Sequence, residues 1–189
     1  MTLFSVLWFV VVLFPVSEIG LAIIKHSNSG FSKTQDRGSM RVLWIAIVIG
    51  VGCAIAAQWV PDARLHVPSR IVGTLALVLL VVGLIVRWLA ILKLGRLFTV
   101  DVAIQPDHQL IQTGLYRLVR HPSYVGLLIA FFGLGLFFAN WLSLVLLLAP
   151  ITLAVMNRVV KEEQVLLEAL GAPYADYCAR TKRFIPGLI

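Results

Sequence analysis

The sequence predicts an all-α integral membrane protein with about five transmembrane helices. Of its 189 residues, 60% are hydrophobic and 13% are charged, and the mean hydropathy is +0.95. A soluble domain of this size needs more charge to cover its surface, so lipid must cover much of this chain. The apolar residues also fall into separate runs long enough to cross a bilayer as helices. We expect one membrane domain over residues 1–189, with three spans in 1–93 and two further spans in 94–189.

Three apolar runs fill the N-terminal half: residues 3–24, 42–60 and 71–94. The first run lacks the basic start and the small-residue cleavage site of a signal peptide, so we interpret it as a retained helix. Arg87 is close enough to the end of the third run to extend its guanidinium toward the lipid headgroups.

Two further apolar runs form a predicted helical hairpin. The fourth covers residues 122–139 and begins with a proline suited to the first helical turn, and the fifth covers residues 141–160. Asn140 lies at the tip between them. Pro150 removes a backbone hydrogen bond within the fifth run and is expected to kink that helix.

The basic residues predict the orientation. Lys and Arg are concentrated after the first, third and fifth runs and are sparse in the other connections. Because positively charged loops stay in the cytoplasm, we expect the N-terminus outside and the C-terminus in the cytoplasm. We assign the net charge of +7 to anionic membrane lipids and exclude nucleic acid as the main partner. Cys53 and Cys178 lack the spacing of a metal or redox site.

Polar residues suited to chemistry are concentrated in residues 95–124 and 157–186, both on the predicted cytoplasmic side. Arg120 and His121 precede the fourth run, and with the free N–H groups of that helix they form a predicted anion site. Tyr124 follows about one turn later and can add a hydroxyl. The alternative is that Arg120 and His121 only anchor the helix at the headgroups.

Arg158 and Glu162 are four residues apart on the helical extension of the fifth run, so they share one helix face. One interpretation is a plain surface ion pair, which contributes less than about 1 kcal/mol. The other is recognition of an anionic group at the membrane boundary. The residues alone do not decide between the two.

Taken together, these motifs resemble the isoprenylcysteine carboxyl methyltransferase family and its relatives among the membrane phospholipid methyltransferases. The resemblance covers residues 94–187 and finds no counterpart in the first two spans. It depends on an ordered series of positions: Leu94-Gly95-Arg96, His108 to Ile111, Thr113-Gly114, Tyr116, Arg120 to Gly126, Arg158, Glu162-Glu163, Gly171, Tyr174, Tyr177, Arg183 and Pro186-Gly187.

The resemblance implies methyl transfer from S-adenosylmethionine without a Rossmann fold, and the sequence lacks the glycine motif of such a fold. It assigns cofactor binding to His108, Gln109, Leu110, Ile111, Tyr116, His121, Pro122, Ser123, Tyr124 and Glu162. Arg158 would bind the acceptor and form the catalytic pair with Glu162. The C-terminal segment would close a cytoplasmic cofactor pocket. Asp101 stands where the family often has a neutral polar residue.

The expected acceptor is a lipophilic carboxylate, such as that of a prenylcysteine, which enters between helices from the bilayer. A carboxylate is ionised near neutral pH and needs no general base, and Arg158 can hold it through two hydrogen bonds. An amine acceptor, as in phosphatidylethanolamine, would need a base, for which Glu162 or Glu163 is the candidate. No obligatory protein partner is evident.

Two other classes of protein share features with the sequence. Membrane reductases of the sterol reductase type have a similar Arg-His-Pro-x-Tyr string and use NADPH, but they commonly have Asn in place of Ser123 and an acidic residue near Leu127. A membrane scaffold or small transporter would use the charged helix ends as anchors, but transporters tend to show internal repeats, and none is convincing here. The sequence favours the methyltransferase.

Overall fold

The computed structural model describes residues 16, 20, 33–36, 38–98, 102–104 and 110–187, with the backbone alone at 33–36, 96 and 102–104. This part of the chain forms five α-helices. They are α1 (Gly38–Ala57), α2 (Ser69–Leu94), α3 (Pro122–Phe137), α4 (Trp141–Leu170) and α5 (Ala172–Arg180). The first predicted span, residues 3–24, lies outside the described residues apart from Val16 and Gly20.

Three of the helices, α1, α2 and α4, are long and apolar enough to span a membrane. They match the second, third and fifth apolar runs, although α4 continues to Leu170. Helix α3 has 16 residues. Its length is therefore about 24 Å, less than the roughly 30 Å of a hydrocarbon core. That α3 also spans the membrane stays a prediction.

Two short strands add a small sheet to the predicted all-α fold. Strand β1 (Lys33–Asp36) pairs antiparallel with β2 (Val102–Ile104), with Lys33 opposite Ile104. Strand β1 lies in the polar connection between the first and second apolar runs. The strands hold four and three residues, too few for an alternating apolar pattern to reveal them in the sequence.

The helices pack in pairs, with α1 on α4, α2 on α3, and α3 on α4. Glycines bring α2 and α3 into backbone contact. A Cβ atom on Gly126 would lie 2.5 Å from the backbone nitrogen of Arg87, and one on Gly133 would lie 2.6 Å from the backbone nitrogen of Leu80. Small residues of this kind let membrane helices approach closely and gain van der Waals contacts.

We expect Gly133→Leu to lower the thermal midpoint of the detergent-solubilised protein. The new side chain would overlap the α2 backbone, which cannot move aside as a flexible side chain can, and such overpacking costs about 1–3 kcal/mol. The matched control is Gly52→Leu on α1, where an added Cβ meets nothing within 4 Å. Equal midpoints for the two variants would contradict the close packing of α2 on α3.

One end of the helix bundle is fixed by Asn140. Its side-chain oxygen caps α4 by accepting the Ser143 N–H at 3.0 Å, and its Nδ2 donates to the carbonyls of Ala57 at 3.1 Å and Val60 at 3.2 Å. Asn140 therefore lies beside the loop that joins α1 to α2. The polar residues gather at the opposite end.

Candidate active site

Tyr124 joins Arg158 to Glu162 at that opposite end. Its hydroxyl accepts the Nε–H of Arg158 at 2.6 Å and donates to Oε2 of Glu162 at 2.9 Å. Tyr124 lies in the first turn of α3, whereas the other two residues lie one turn apart on α4. Arg158 is only 3% exposed. The interpretation of Arg158 and Glu162 as a plain surface ion pair is therefore wrong.

Arg158 also contacts α1. Its Nη1 donates to the hydroxyl of Ser39 at 3.1 Å, and Ser39 is fully buried in the first turn of that helix. Hydroxyls from two different helices thus hold the guanidinium. The sequence did not reveal Ser39, because a single serine in a polar segment carries no motif and 119 residues separate it from Arg158.

Glu163 gathers three basic side chains. Its Oε1 accepts from Arg120 Nε at 2.9 Å and lies 3.1 Å from His121 Nε2, and its Oε2 accepts from Arg183 Nη2 at 2.7 Å. Arg120 and His121 are 10% and 4% exposed, so the interpretation of them as headgroup anchors is wrong. The anion site predicted beside these two residues already holds a carboxylate of the chain itself. In the sequence Glu163 was one of the positions of the family resemblance and a candidate base, and nothing there indicated its three basic partners.

The C-terminal segment, residues 181–184, lies beside the residues that immediately precede α3. The backbone N–H groups of Arg120 and His121 donate to the carbonyls of Lys182 at 2.8 Å and Arg183 at 3.1 Å. The Arg120 guanidinium also donates to the carbonyls of Cys178, at 3.0 Å, and Thr181. Backbone and side-chain bonds therefore fix this segment to the start of α3.

Two tyrosines connect α2, α5 and the turn before α3. Tyr116 donates its hydroxyl to the Ala90 carbonyl at 3.3 Å, and Tyr177 donates to the Tyr116 carbonyl at 2.5 Å. Burial raises the pKa of Tyr177 to about 12, and burial and then the charge of Glu162 raise the pKa of Tyr116. Both hydroxyls therefore remain protonated donors near neutral pH.

Tyr174 has a buried hydroxyl that lacks a hydrogen-bond partner among the residues that the structure describes. Burial raises its pKa, and Cys178 and then the carboxylates of Glu163 and Glu162 raise it further, so the hydroxyl is a protonated donor near two acidic groups. A buried polar group without a partner costs about 1–3 kcal/mol. A buried donor of this kind is suited to a bound molecule.

We expect Tyr174→Phe to leave the thermal midpoint of the ligand-free protein unchanged or to raise it, because the variant removes an uncompensated hydroxyl. The matched control is Tyr177→Phe on the same helix, which loses the bond to the Tyr116 carbonyl and is expected to cost about 1 kcal/mol. A lower midpoint in Tyr174→Phe than in Tyr177→Phe would contradict this description of the Tyr174 hydroxyl.

Arg87 does not extend toward the headgroups, so that prediction is wrong. It is buried and donates from Nη1 to the Ser123 carbonyl at 3.3 Å. Gly126 lets the α3 backbone approach Arg87 closely, which brings that carbonyl within reach of the guanidinium.

The remaining predicted cofactor residues lie around the start of α3. Pro122 and Ser123 are buried in its first turn, and Leu110 and Ile111 are partly exposed in the segment that precedes it. His108 and Gln109 lie outside the described residues, as does Asp101. Segments 110–124 and 157–186 thus meet at one end of the bundle, although they are far apart in sequence.

The sequence model of the isoprenylcysteine carboxyl methyltransferase (ICMT) family matches residues 75–168, which is about half of the chain, from within α2 almost to the end of α4. The chain belongs to this family. This membership and the three long apolar helices identify it as an integral membrane protein.

The chain is also similar to individual proteins of the ICMT family. Protein-S-isoprenylcysteine O-methyltransferase B of Arabidopsis thaliana is 28% identical over 179 residues, which cover 93% of this chain and 89% of that protein. The Tribolium castaneum protein-S-isoprenylcysteine O-methyltransferase is 30% identical over 181 residues, covering 94% and 63%. A probable protein-S-isoprenylcysteine O-methyltransferase of Oryza sativa subsp. indica is 32% identical over 117 residues, so the match spans only 61% of that relative's length.

A solved structure is similar over nearly the whole chain. The eukaryotic intramembrane Ras methyltransferase ICMT, solved without a monobody, superimposes with a TM-score of 0.61 at 26% identity. The match covers 98% of this chain and 67% of that one. The ICMT-like membrane fold therefore includes α1, which lies before the residues that the family model matches.

Proposed function

We propose that this protein methylates the carboxylate of a prenylcysteine, or of a similar isoprenoid acid, with S-adenosylmethionine as the methyl donor. The observation that carries the proposal is the buried Arg158 guanidinium, held by Tyr124 and Ser39 in a chain of the ICMT family. The relatives named above are protein-S-isoprenylcysteine O-methyltransferases.

Arg158 is the proposed acceptor-binding residue. A buried guanidinium is stabilised by an anionic partner, and its planar N–H groups match the two oxygens of a carboxylate. Carboxylate acceptors are ionised near neutral pH, so no side chain has to remove a proton. Arg158 would therefore act by orienting one carboxylate oxygen for an in-line displacement.

The residues present fit S-adenosylmethionine. Glu162 offers a carboxylate to a positively charged donor. The Tyr174 hydroxyl, which has no hydrogen-bond partner among the described residues, lies close enough for the charge of Glu162 to raise its pKa. When bound, the cofactor supplies a methyl group on a sulfonium, and transfer to a carboxylate oxygen gives an ester and a neutral thioether. We propose that the described residues which hold it are Leu110, Ile111, Tyr116, His121, Pro122, Ser123, Tyr124 and Glu162.

Amine methylation is the alternative for a phospholipid acceptor. The surroundings of its two candidate bases, Glu162 and Glu163, support it less well. An amine acceptor needs a general base. Glu163 is engaged by Arg120, His121 and Arg183, and a carboxylate that binds three basic groups is a poor proton acceptor. Glu162 already accepts a hydrogen bond from Tyr124.

The proposed architecture has about five spans, the last two forming a hairpin, with the N-terminus outside and the active site and C-terminus in the cytoplasm. The distribution of basic residues supports this orientation. We propose that the C-terminal segment closes the cofactor pocket. Its hydrogen bonds to the backbone of Arg120 and His121, just before α3, support this role. The cofactor would enter from the cytoplasm, and the acceptor would enter laterally from the surrounding membrane lipids.

Calorimetric binding of S-adenosylmethionine to the detergent-purified protein tests the cofactor assignment, with NADPH titrated in parallel. We expect binding of the methyl donor alone, with affinity lowered at least about tenfold in Glu162→Ala, the loss typical of one charge-assisted hydrogen bond. The matched control is Glu168→Ala, because Glu168 is exposed on the same helix. Binding of NADPH alone would instead support the reductase.

A further inference from the structure

Ser39 lies outside the region that carries the family resemblance but contacts its central side chain. The family model begins at residue 75, whereas Ser39 is in the first turn of α1. Its hydroxyl accepts from Nη1 of Arg158 at 3.1 Å, and the residue is fully buried. The first half of the chain therefore contributes directly to the site.

The position of Ser39 is set by the packing of α1 on α4. Gly50 allows this close approach, since a Cβ there would lie 3.1 Å from the Leu147 carbonyl and 3.4 Å from the Pro150 ring. Toward the far end of the same helix pair, the Ser143 hydroxyl of α4 donates to the Ala54 carbonyl of α1 at 2.8 Å. Two buried serines thus join these helices, one at each end.

An arginine side chain has many rotamers, and holding it in one geometry costs entropy unless neighbouring groups restrict it beforehand. Tyr124 engages Nε and Ser39 engages Nη1, so contacts from α3 and α1 act on two different atoms of one planar group. Two such contacts restrict rotation of the plane, which a single contact does not. Binding to two carboxylate oxygens depends on the direction of that plane.

We infer that Ser39 is a positioning residue that orients Arg158 toward the acceptor carboxylate. The inference rests on the proposed function. Ser39 acts through Arg158 and is expected to affect the acceptor more than the methyl donor. This assigns α1 a role in acceptor recognition in addition to its role as a membrane helix.

The test measures steady-state methylation of N-acetyl-S-farnesylcysteine, S-adenosylmethionine binding and thermal midpoints for three variants. Ser39→Ala is expected to raise the acceptor KM roughly tenfold, in line with one hydrogen bond to a charged group, with the Kd for the methyl donor within about twofold of wild type. Ser39→Thr retains a hydroxyl and is expected to keep the acceptor KM near the wild-type value.

Ser143→Ala is the matched control, because it removes a buried serine hydroxyl from the same helix pair away from Arg158. It is expected to lower the thermal midpoint and leave the acceptor KM unchanged. An unchanged KM in Ser39→Ala, or an equal rise in Ser143→Ala, would overturn the inference while leaving the proposed function intact. A wild-type protein that methylates neither the farnesylcysteine nor a free isoprenoid carboxylic acid would overturn both.

Discussion

Arg158→Lys is expected to lower kcat/KM for a prenylcysteine acceptor by about 100-fold or more. Lysine keeps the positive charge but presents one ammonium in place of a planar set of donors, so it cannot contact Tyr124, Ser39 and a carboxylate together. Disruption of a buried, hydrogen-bonded charge typically costs about 2–5 kcal/mol. Every 1.4 kcal/mol corresponds to about tenfold in rate.

Binding of S-adenosylmethionine separates this effect from misfolding. The Kd for the methyl donor is expected to remain within about threefold of wild type in Arg158→Lys, because the charge balance at the site is kept. Arg180→Lys is the matched control, since Arg180 is exposed on α5. Full activity of Arg158→Lys would remove Arg158 from the role of acceptor-binding residue.

Glu163→Gln is expected to release the C-terminal segment from the start of α3. Glutamine has the same shape but no charge, so three basic side chains lose their shared carboxylate. Removal of one member of a largely buried ionic cluster costs about 3–5 kcal/mol. We expect a lower thermal midpoint and weaker binding of S-adenosylmethionine, because the predicted pocket would no longer be closed.

Hydrogen exchange reports this release at two defined atoms. The N–H groups of Arg120 and His121 donate to the carbonyls of Lys182 and Arg183, so their exchange is expected to accelerate at least about tenfold in Glu163→Gln. Glu168→Gln, at an exposed position on the same helix, is the control and should leave both amides protected. Unchanged protection in Glu163→Gln would show that the segment does not depend on the carboxylate.

The helices were the most predictable part of the fold. Apolar runs of spanning length located α1, α2 and α4 because a bilayer requires continuous apolar helices. The spacing of Arg158 and Glu162 also predicted one shared helix face. The bridge between them was not predictable, because it depends on Tyr124 from α3 and therefore on how α3 packs against α4.

The contacts that the sequence could not show are those between segments far apart in sequence. Ser39 is not part of a motif. Glu163 is the same residue type as its neighbour Glu162, and the two differ only in the face of the helix on which they lie. Arg87 was placed at the headgroups from its position in the apolar run alone. Its burial follows from the glycine contact that brings α3 against α2, which a single sequence does not reveal.

The central claim is methyl transfer to a carboxylate, and product analysis tests it most directly. Detergent-purified protein would be incubated with methyl-labelled S-adenosylmethionine and either N-acetyl-S-farnesylcysteine, its carboxamide analogue, or phosphatidylethanolamine. We predict a label released by alkali, as a methyl ester, from the carboxylate acceptor alone. Alkali-stable label on phosphatidylethanolamine, with none on the farnesylcysteine, would contradict the account and identify an amine methyltransferase.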